Sequence, residues 1–305
     1  MFGRRFKLFN FLICISIWTL PFAPAKGGAA HSPSSRGTVR DAVQGTVRFD
    51  LFRGYLMVAR GSIGPLKGLH FLLDTGTSAT LVDTRIASRL NMEGVTEAVN
   101  VVFYQGEVQA FHSWAPSIEL GPVRQFHRPV LVQDLSMFDA ALPVHIDAVI
   151  GLDVLGKTPF EVDYRLCRIH FGHLPHLPVS IPLNKEEGLA MVNVEVNHAS
   201  AHLIFDTGTP SLLIFGSRIP KAIAGLKAHW LQSDSSSRGS LQRKAVRLPR
   251  MKLGQAEFIQ QQAILEESLD EGGRDFDGVL SPAALGIDAF VVDLDRGALE
   301  IRLGM

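Results

Sequence analysis

With 305 residues, 46% of them hydrophobic, the chain can bury a sizeable core and has room for two domains of ordinary size. Its 30 basic and 30 acidic residues cancel, so charge makes no case for nucleic acid or an anionic membrane surface as partner. The 28 Gly and 16 Pro suit many short strands and turns.

The chain opens on a targeting pattern. Arg4, Arg5 and Lys7 precede an apolar run of 15, Leu8 to Phe22, broken only by Asn10, Ser16, Thr19 and Pro21. Ala23-Pro24-Ala25 is an A-x-A cleavage pattern, and Ala30 offers a second. Residues 1–25 therefore read as a secretory signal peptide, which implies export to the periplasm or the medium. The alternative is an uncleaved membrane anchor, for which the run is short of the roughly 20 residues a span needs. Cleavage after Ala25 leaves 27 basic and 30 acidic residues, a net charge of −3, with Cys167 the one remaining cysteine. An intramolecular disulfide is then impossible, and the core alone must hold the fold. Residues 26–43, rich in Gly, Ser and Ala, read as a disordered lead, short for a pro-segment.

From there the chain repeats itself. "FLLDTGTSATLVD" from Phe71 returns as "LIFDTGTPSLLIF" from Leu203, with Asp74 and Asp206 132 residues apart. "GYLMV" at Gly54 corresponds to "GLAMV" at Gly188, and Leu120-Gly121 to Leu253-Gly254. "IDAVIGLDVLGKTPFEVDY" from Ile146 corresponds to "FDGVLSPAALGIDAFVVDL" from Phe276. Four blocks in one order, with spacing that drifts by four residues, indicate two copies of one unit. The copies run over 44–174 and 179–305, joined by the Pro-spaced "GHLPHLPVS".

Each copy reads mostly as strands: "YLMVARGSI", "LHFLLDTG", "VNVVFYQG", "RPVLVQDL", "DAVIGL" and "CRIHFG" are apolar, β-branched and bounded by turn formers. A helix is expected after Asp83 as N-cap, with Ile86, Ala87 and Leu90 on one face. A second, short one is expected around Pro220 to Leu226. The polar tract from Gln232 reads as an exposed loop.

A single Asp-Thr-Gly is a common turn. Two of them at matched places in a repeated β unit are a stronger signal. Each is followed at matched distance by two apolar residues and a small one: Val149-Ile150-Gly151 and Val279-Leu280-Ser281. Paired carboxylates suit general acid–base work, because two facing Asp cannot both ionise cheaply and so share a proton. No Gly-rich phosphate loop and no G-x-S-x-G elbow occurs. His170, His173 and His176 recur every third residue, but Pro175 and Pro178 break the regular element a metal site would need.

On these motifs the chain resembles the aspartic proteases of the pepsin and retropepsin superfamily, most closely the bacterial retropepsin-like proteins. The resemblance covers nearly all of 44–305. It implies an all-β fold of two similar β-barrel lobes related by a pseudo-twofold axis, with a few short helices. It implies Asp74 and Asp206 as the catalytic pair, activating a water without metal or cofactor. Gly76 and Gly208 would allow the tight turns. Thr75 and Thr207 would cross between lobes, and Thr77 and Thr209 would hydrogen-bond the outer carboxylate oxygens. Tyr104, in "VVFYQGEVQAF", resembles a flap tyrosine, though it also suits an ordinary half-buried strand position. Ser281 in place of Gly, and Pro210 where the first loop has Ser78, depart from the pattern. The activity implied is that of a monomeric, exported aspartic endopeptidase acting on peptide or protein substrates. A catalytically silent, bilobal peptide-binding or scaffold protein is the alternative.

Overall fold

A computed structural model describes residues 16–17, 43–92, 98–103, 106–232, 242–266 and 276–304. The described chain is almost all β with a few short helical turns, as expected. Its first strands are β1 (Ser16–Ile17), β2 (Gly45–Phe52), β3 (Leu56–Ile63), β4 (Leu66–Leu73), β5 (Leu81–Asp83), β6 (Ala98–Phe103), β7 (Gly106–Leu120) and β8 (Val123–Gln133). There follow β9 (Ala148–Ile150), β10 (Phe160–Asp163), β11 (Arg168–Phe171), β12 (Val179–Glu186), β13 (Leu189–Val196), β14 (Ala199–Phe205) and β15 (Leu212–Phe215). The last are β16 (His229–Gln232), β17 (Gln242–Leu253), β18 (Ala256–Glu266), β19 (Gly278–Leu280), β20 (Ile287–Asp293) and β21 (Ala298–Leu303). The helices are α1 (Thr84–Arg89), α2 (Leu152–Leu155) and α3 (Pro220–Ile223), with a 3-10 turn at Ser136–Phe138. All the strands join one hydrogen-bonded network.

Three consecutive apolar residues stand before each Asp-Thr-Gly-Thr because these strands are covered on both faces. Successive side chains of a strand point to opposite faces. Phe71 and Leu73 enter the main core, whereas Leu72 enters a second cluster with Tyr55, Leu131, Phe138 and Val149. Leu203 and Phe205 likewise enter the main core, and Ile204 a third cluster with Met191, Phe215 and Phe276. Each such side chain contributes about 1.5–3 kcal/mol by burial, so a polar residue at any of the six would be costly.

The expected α1 forms where Asp83 can cap it. Its Oδ1 accepts the Arg85 N–H at 2.9 Å, and Ile86 and Ala87 are buried. The second expected helix is shorter than read, ending at Ile223. Helix α2 and the 3-10 turn were not legible, being one turn each. The tract at 233–241 lies outside the described residues, as do Tyr104 and nearly all of the leader.

Two sets of strands pair in the same way. Parallel β4 and β9 match Phe71↔Ala148, Leu72↔Val149 and Leu73↔Ile150. Parallel β14 and β19 match Leu203↔Gly278, Ile204↔Val279 and Phe205↔Leu280. Beside them β5 runs antiparallel to β9 and parallel to β8, as β15 does to β19 and β18. Even a local irregularity recurs. His127 has φ 45° and Gln260 φ 56°, each opposite a proline, Pro116 or Pro249, in the neighbouring strand.

A six-stranded layer, in the order β2–β11–β10–β20–β21–β12, ties the sets together. At its centre β10 and β20 pair antiparallel, with Phe160↔Val292 and Val162↔Phe290. A shift of 130 residues turns one of these pairs into the other. Above this layer Phe290 packs edge-on to Phe205 at 5.0 Å, and Tyr164 packs against Phe290 and Phe49. Phe205 of this cluster immediately precedes Asp206.

Candidate active site

Both Asp-Thr-Gly-Thr segments sit where a central strand leaves its neighbour. The Asp74 N–H donates to Ile150 O, and the Asp206 N–H to Leu280 O, both at 3.0 Å. Each chain then turns and returns as β5 or β15 on the far side of β9 or β19. The two tips meet. The Thr75 N–H donates to Thr207 Oγ1 and the Thr207 N–H to Thr75 Oγ1, both at 3.1 Å. The Thr75 hydroxyl donates in turn to Phe205 O at 2.8 Å, and the Thr207 hydroxyl to Leu73 O at 3.4 Å. Each threonine thus reaches across into the other loop, as the resemblance implies.

This crossing brings the two carboxyls together. The Gly76 N–H donates to Asp74 Oδ1 at 2.8 Å, and the Gly208 N–H to Asp206 Oδ1 at 2.6 Å. A Cβ on Gly76 would stand 2.2 Å from Asp206 Cγ, and one on Gly208 2.9 Å from Asp74 Oδ2. Only glycine lets the partner carboxyl approach so closely. Both aspartates are fully buried. Neither Oδ2 has a hydrogen-bond partner among the described residues, and each carboxyl lies against the glycine of the other loop. As carboxylates, each would keep one buried oxygen without a partner.

The electrostatics follow from burial. Loss of solvent pushes the Asp74 carboxyl up to about 6, against the hydrogen bonds from Asp206, Gly76 and Gly208 that favour ionisation. Burial pushes Asp206 well above the carboxylate range, and the Asp74 charge pushes it further. The pair titrates as a unit. The Tyr164 hydroxyl is buried without a hydrogen-bond partner among the described residues, and burial and then the Asp206 and Asp74 charges hold it above its ordinary range.

One expectation is corrected. The Thr77 and Thr209 hydroxyls do not reach the outer carboxylate oxygens. Thr77 donates to Ala79 O at 3.1 Å and Thr209 to Ser211 O at 3.2 Å. A hydroxyl can turn to a carbonyl two residues on as easily as to a carboxylate, and here the local turn wins.

Other supports were not read from the sequence. Thr80 Oγ1 donates to Asp153 Oδ1 at 2.8 Å and accepts the Gly151 N–H at 3.3 Å. Asp147 Oδ2 accepts the His70 N–H, with Arg85 3.9 Å from its other oxygen. Asp277 does the same for the His202 N–H at 2.8 Å, with Arg218 at 3.2 Å. The matched spacing of Asp147 and Asp277 was the available signal for this second pair of aspartates. The regularly spaced histidines take separate partners: His170 in β11 meets Thr46, and His176 in the linker meets Glu300. Among the described residues no group of three or more His, Cys, Asp or Glu is placed to hold a metal ion. No helix of the described residues is long and apolar enough to cross a membrane.

Residues 59–154 match the family model described as aspartyl protease. The match spans the first Asp-Thr-Gly-Thr and Val149-Ile150-Gly151, and it places this stretch in the pepsin and retropepsin superfamily. A comparison with curated proteins finds no match.

Proposed function

We propose that this chain, with its aspartyl protease segment, is an exported, single-chain aspartic endopeptidase. It hydrolyses peptide bonds with a water activated between Asp74 and Asp206. The observation that carries the reading is the pair of fully buried carboxyls, each bonded by its own glycine N–H and each left with one oxygen free for a shared proton. In the working state the pair holds one proton. The ionised member takes a proton from the water as its oxygen attacks the scissile carbonyl carbon. The protonated member donates a hydrogen bond, then its proton, to the carbonyl oxygen. Collapse of the tetrahedral diol returns one of its hydroxyl protons to the pair, moves a proton to the amide nitrogen and breaks the C–N bond. No metal or covalent intermediate is required.

In this reading residues 44–174 and 179–305 are two β-barrel lobes of a duplicated unit, and the six-stranded layer is the joint between them. The matched strand pairings and the self-equivalent β10–β20 contact support it. One chain then supplies both aspartates and works as a monomer. The leader 1–25 directs export.

The test is digestion of a peptide library by the purified chain, with and without pepstatin, beside Asp74→Asn and Asp206→Asn. Cleavage that both substitutions abolish while the circular dichroism spectrum is kept is the expected result. A single variant with near-wild-type turnover, or activity lost to a chelator, would remove the dyad assignment.

A further inference from the structure

We propose that Ser281 is a positioning residue for Asp206. Its hydroxyl supplies a donor that the first loop takes from the backbone. The proposal rests on the dyad reading above and adds a role for a residue that departs from the small-residue pattern.

The first loop is bracketed at both ends by consecutive residues after β9. Ile150 O accepts the Asp74 N–H at 3.0 Å, and the Leu152 N–H donates to Thr77 O at 2.9 Å. Between them stands Gly151, where a Cβ would meet Thr77 O and Cγ2 at 2.8 Å. In the second loop Leu280 O holds the Asp206 N–H in the same way, at 3.0 Å. The residue matching Leu152 is Pro282, which has no N–H to give. Left there, Thr209 O would be a buried acceptor without its donor. Ser281 fills the gap. It is fully buried, and its Oγ donates to Thr209 O at 2.6 Å. The same Oγ accepts the Ala284 N–H at 3.2 Å, which caps the turn that replaces α2. The serine and the proline are therefore one compensated exchange. In the Asp206 loop the Thr209 carbonyl is held by a side-chain hydroxyl, where in the Asp74 loop the Thr77 carbonyl is held by a main-chain amide.

The full-length protein is compared as wild type, Ser281→Ala, Ser281→Gly and the double variant Ser281→Gly with Pro282→Leu. The last restores the Gly-Leu arrangement of the first loop. Two readouts are taken: kcat and KM on one peptide, and the titration of the carboxyl pair by NMR of 13C-carboxyl-labelled aspartate. Ser281→Ala should lose kcat about ten- to hundredfold with KM little changed, because a small misplacement of a catalytic group costs on that order. Its pair should also titrate lower as water reaches Asp206. The double variant should recover both. Wild-type kcat and titration in Ser281→Ala, or a double variant no better than Ser281→Gly, would overturn the proposal. If the wild type cleaves nothing, the dyad reading fails, and the titration alone decides for or against Ser281. If the single variants do not fold, a folded double variant with the wild-type titration supports the proposal, and an unfolded one sinks it.

Discussion

Replacing Thr75 by valine tests the crossing of the two loops at its strongest point. Valine keeps the shape and removes one hydroxyl that does two things: it accepts the Thr207 N–H at 3.1 Å and donates to Phe205 O at 2.8 Å. Thr75 is fully buried, so no water replaces either bond without opening the loop. A buried N–H and a buried carbonyl lose their partners, at about 1–3 kcal/mol each, so the variant should lose about 2–6 kcal/mol. That is a large part of the roughly 5–15 kcal/mol that holds a typical domain. Thr207→Val should cost less. Its hydroxyl accepts the Thr75 N–H equally well, but its donor bond to Leu73 O is 3.4 Å long and weak. The double variant should fall short of the sum by about 0.5–3 kcal/mol, because once one threonine is gone the opened crossing hydrates the groups of the other. Equilibrium urea unfolding, followed by both fluorescence and circular dichroism to check for a single transition, measures all three. A loss below about 0.5 kcal/mol for Thr75→Val, the range of ordinary surface changes, would refute the reasoning. So would a larger loss for Thr207→Val.

Gly76→Ala places a methyl 2.2 Å from Asp206 Cγ, so kcat should fall by about a hundredfold or more, and Gly208→Ala, with its nearest contact at 2.9 Å, should fall less. Equal effects of the two on peptide turnover would argue against the asymmetry of the approach. Burial pushes Asp74 up to about 6 and Asp206 higher still, so the folded chain keeps protons that unfolded carboxylates release near pH 4. The pair's contribution to stability is then full below about pH 4 and is lost as pH rises through about 6 and beyond. Compared with Asp74→Asn by urea unfolding, the wild type should lose ground over that window, and kcat/KM should follow a bell with an optimum on the acid side of neutral. A wild type that gains on the variant as pH rises would contradict the burial argument.

How much of this was legible depends on whether the signal was local. "FLLDTGT" and "LIFDTGT" carried strand, turn and carboxyl in one stretch, and two-sided burial was implicit in three apolar residues running together. Asp83 announced its helix because an N-cap acts on the next two residues. The Thr77 and Thr209 assignment failed because a hydroxyl has several acceptors in reach, and only the turn geometry chooses among them. The Thr80–Asp153 bond joins residues 73 apart and leaves no periodic mark. Ser281 stood out as a departure from a small-residue pattern. Its meaning depended on the proline after it and on a carbonyl 72 residues away.

The two halves of the site keep different things equal. Around the first loop the supports are polar: Thr80 bonds Asp153, Arg128 donates to Asp153 O at 3.3 Å, and Asp83 takes the Arg85 and Leu135 N–H groups. At the matching places of the second loop stand Leu212 and Phe215, buried in apolar clusters. The donor to the fourth residue of the loop has changed from amide to hydroxyl. What has not changed is what touches the carboxyls: a carbonyl at 3.0 Å from each Asp N–H, a glycine N–H on each Oδ1, and a crossed threonine beside each. A scaffold that only bound peptides would have no use for two buried, mutually repelling carboxyls, since burying that charge works against stability at neutral pH. The contacts to the pair are the same on both sides although the supports differ, which is what the proposed acid–base role of Asp74 and Asp206 requires.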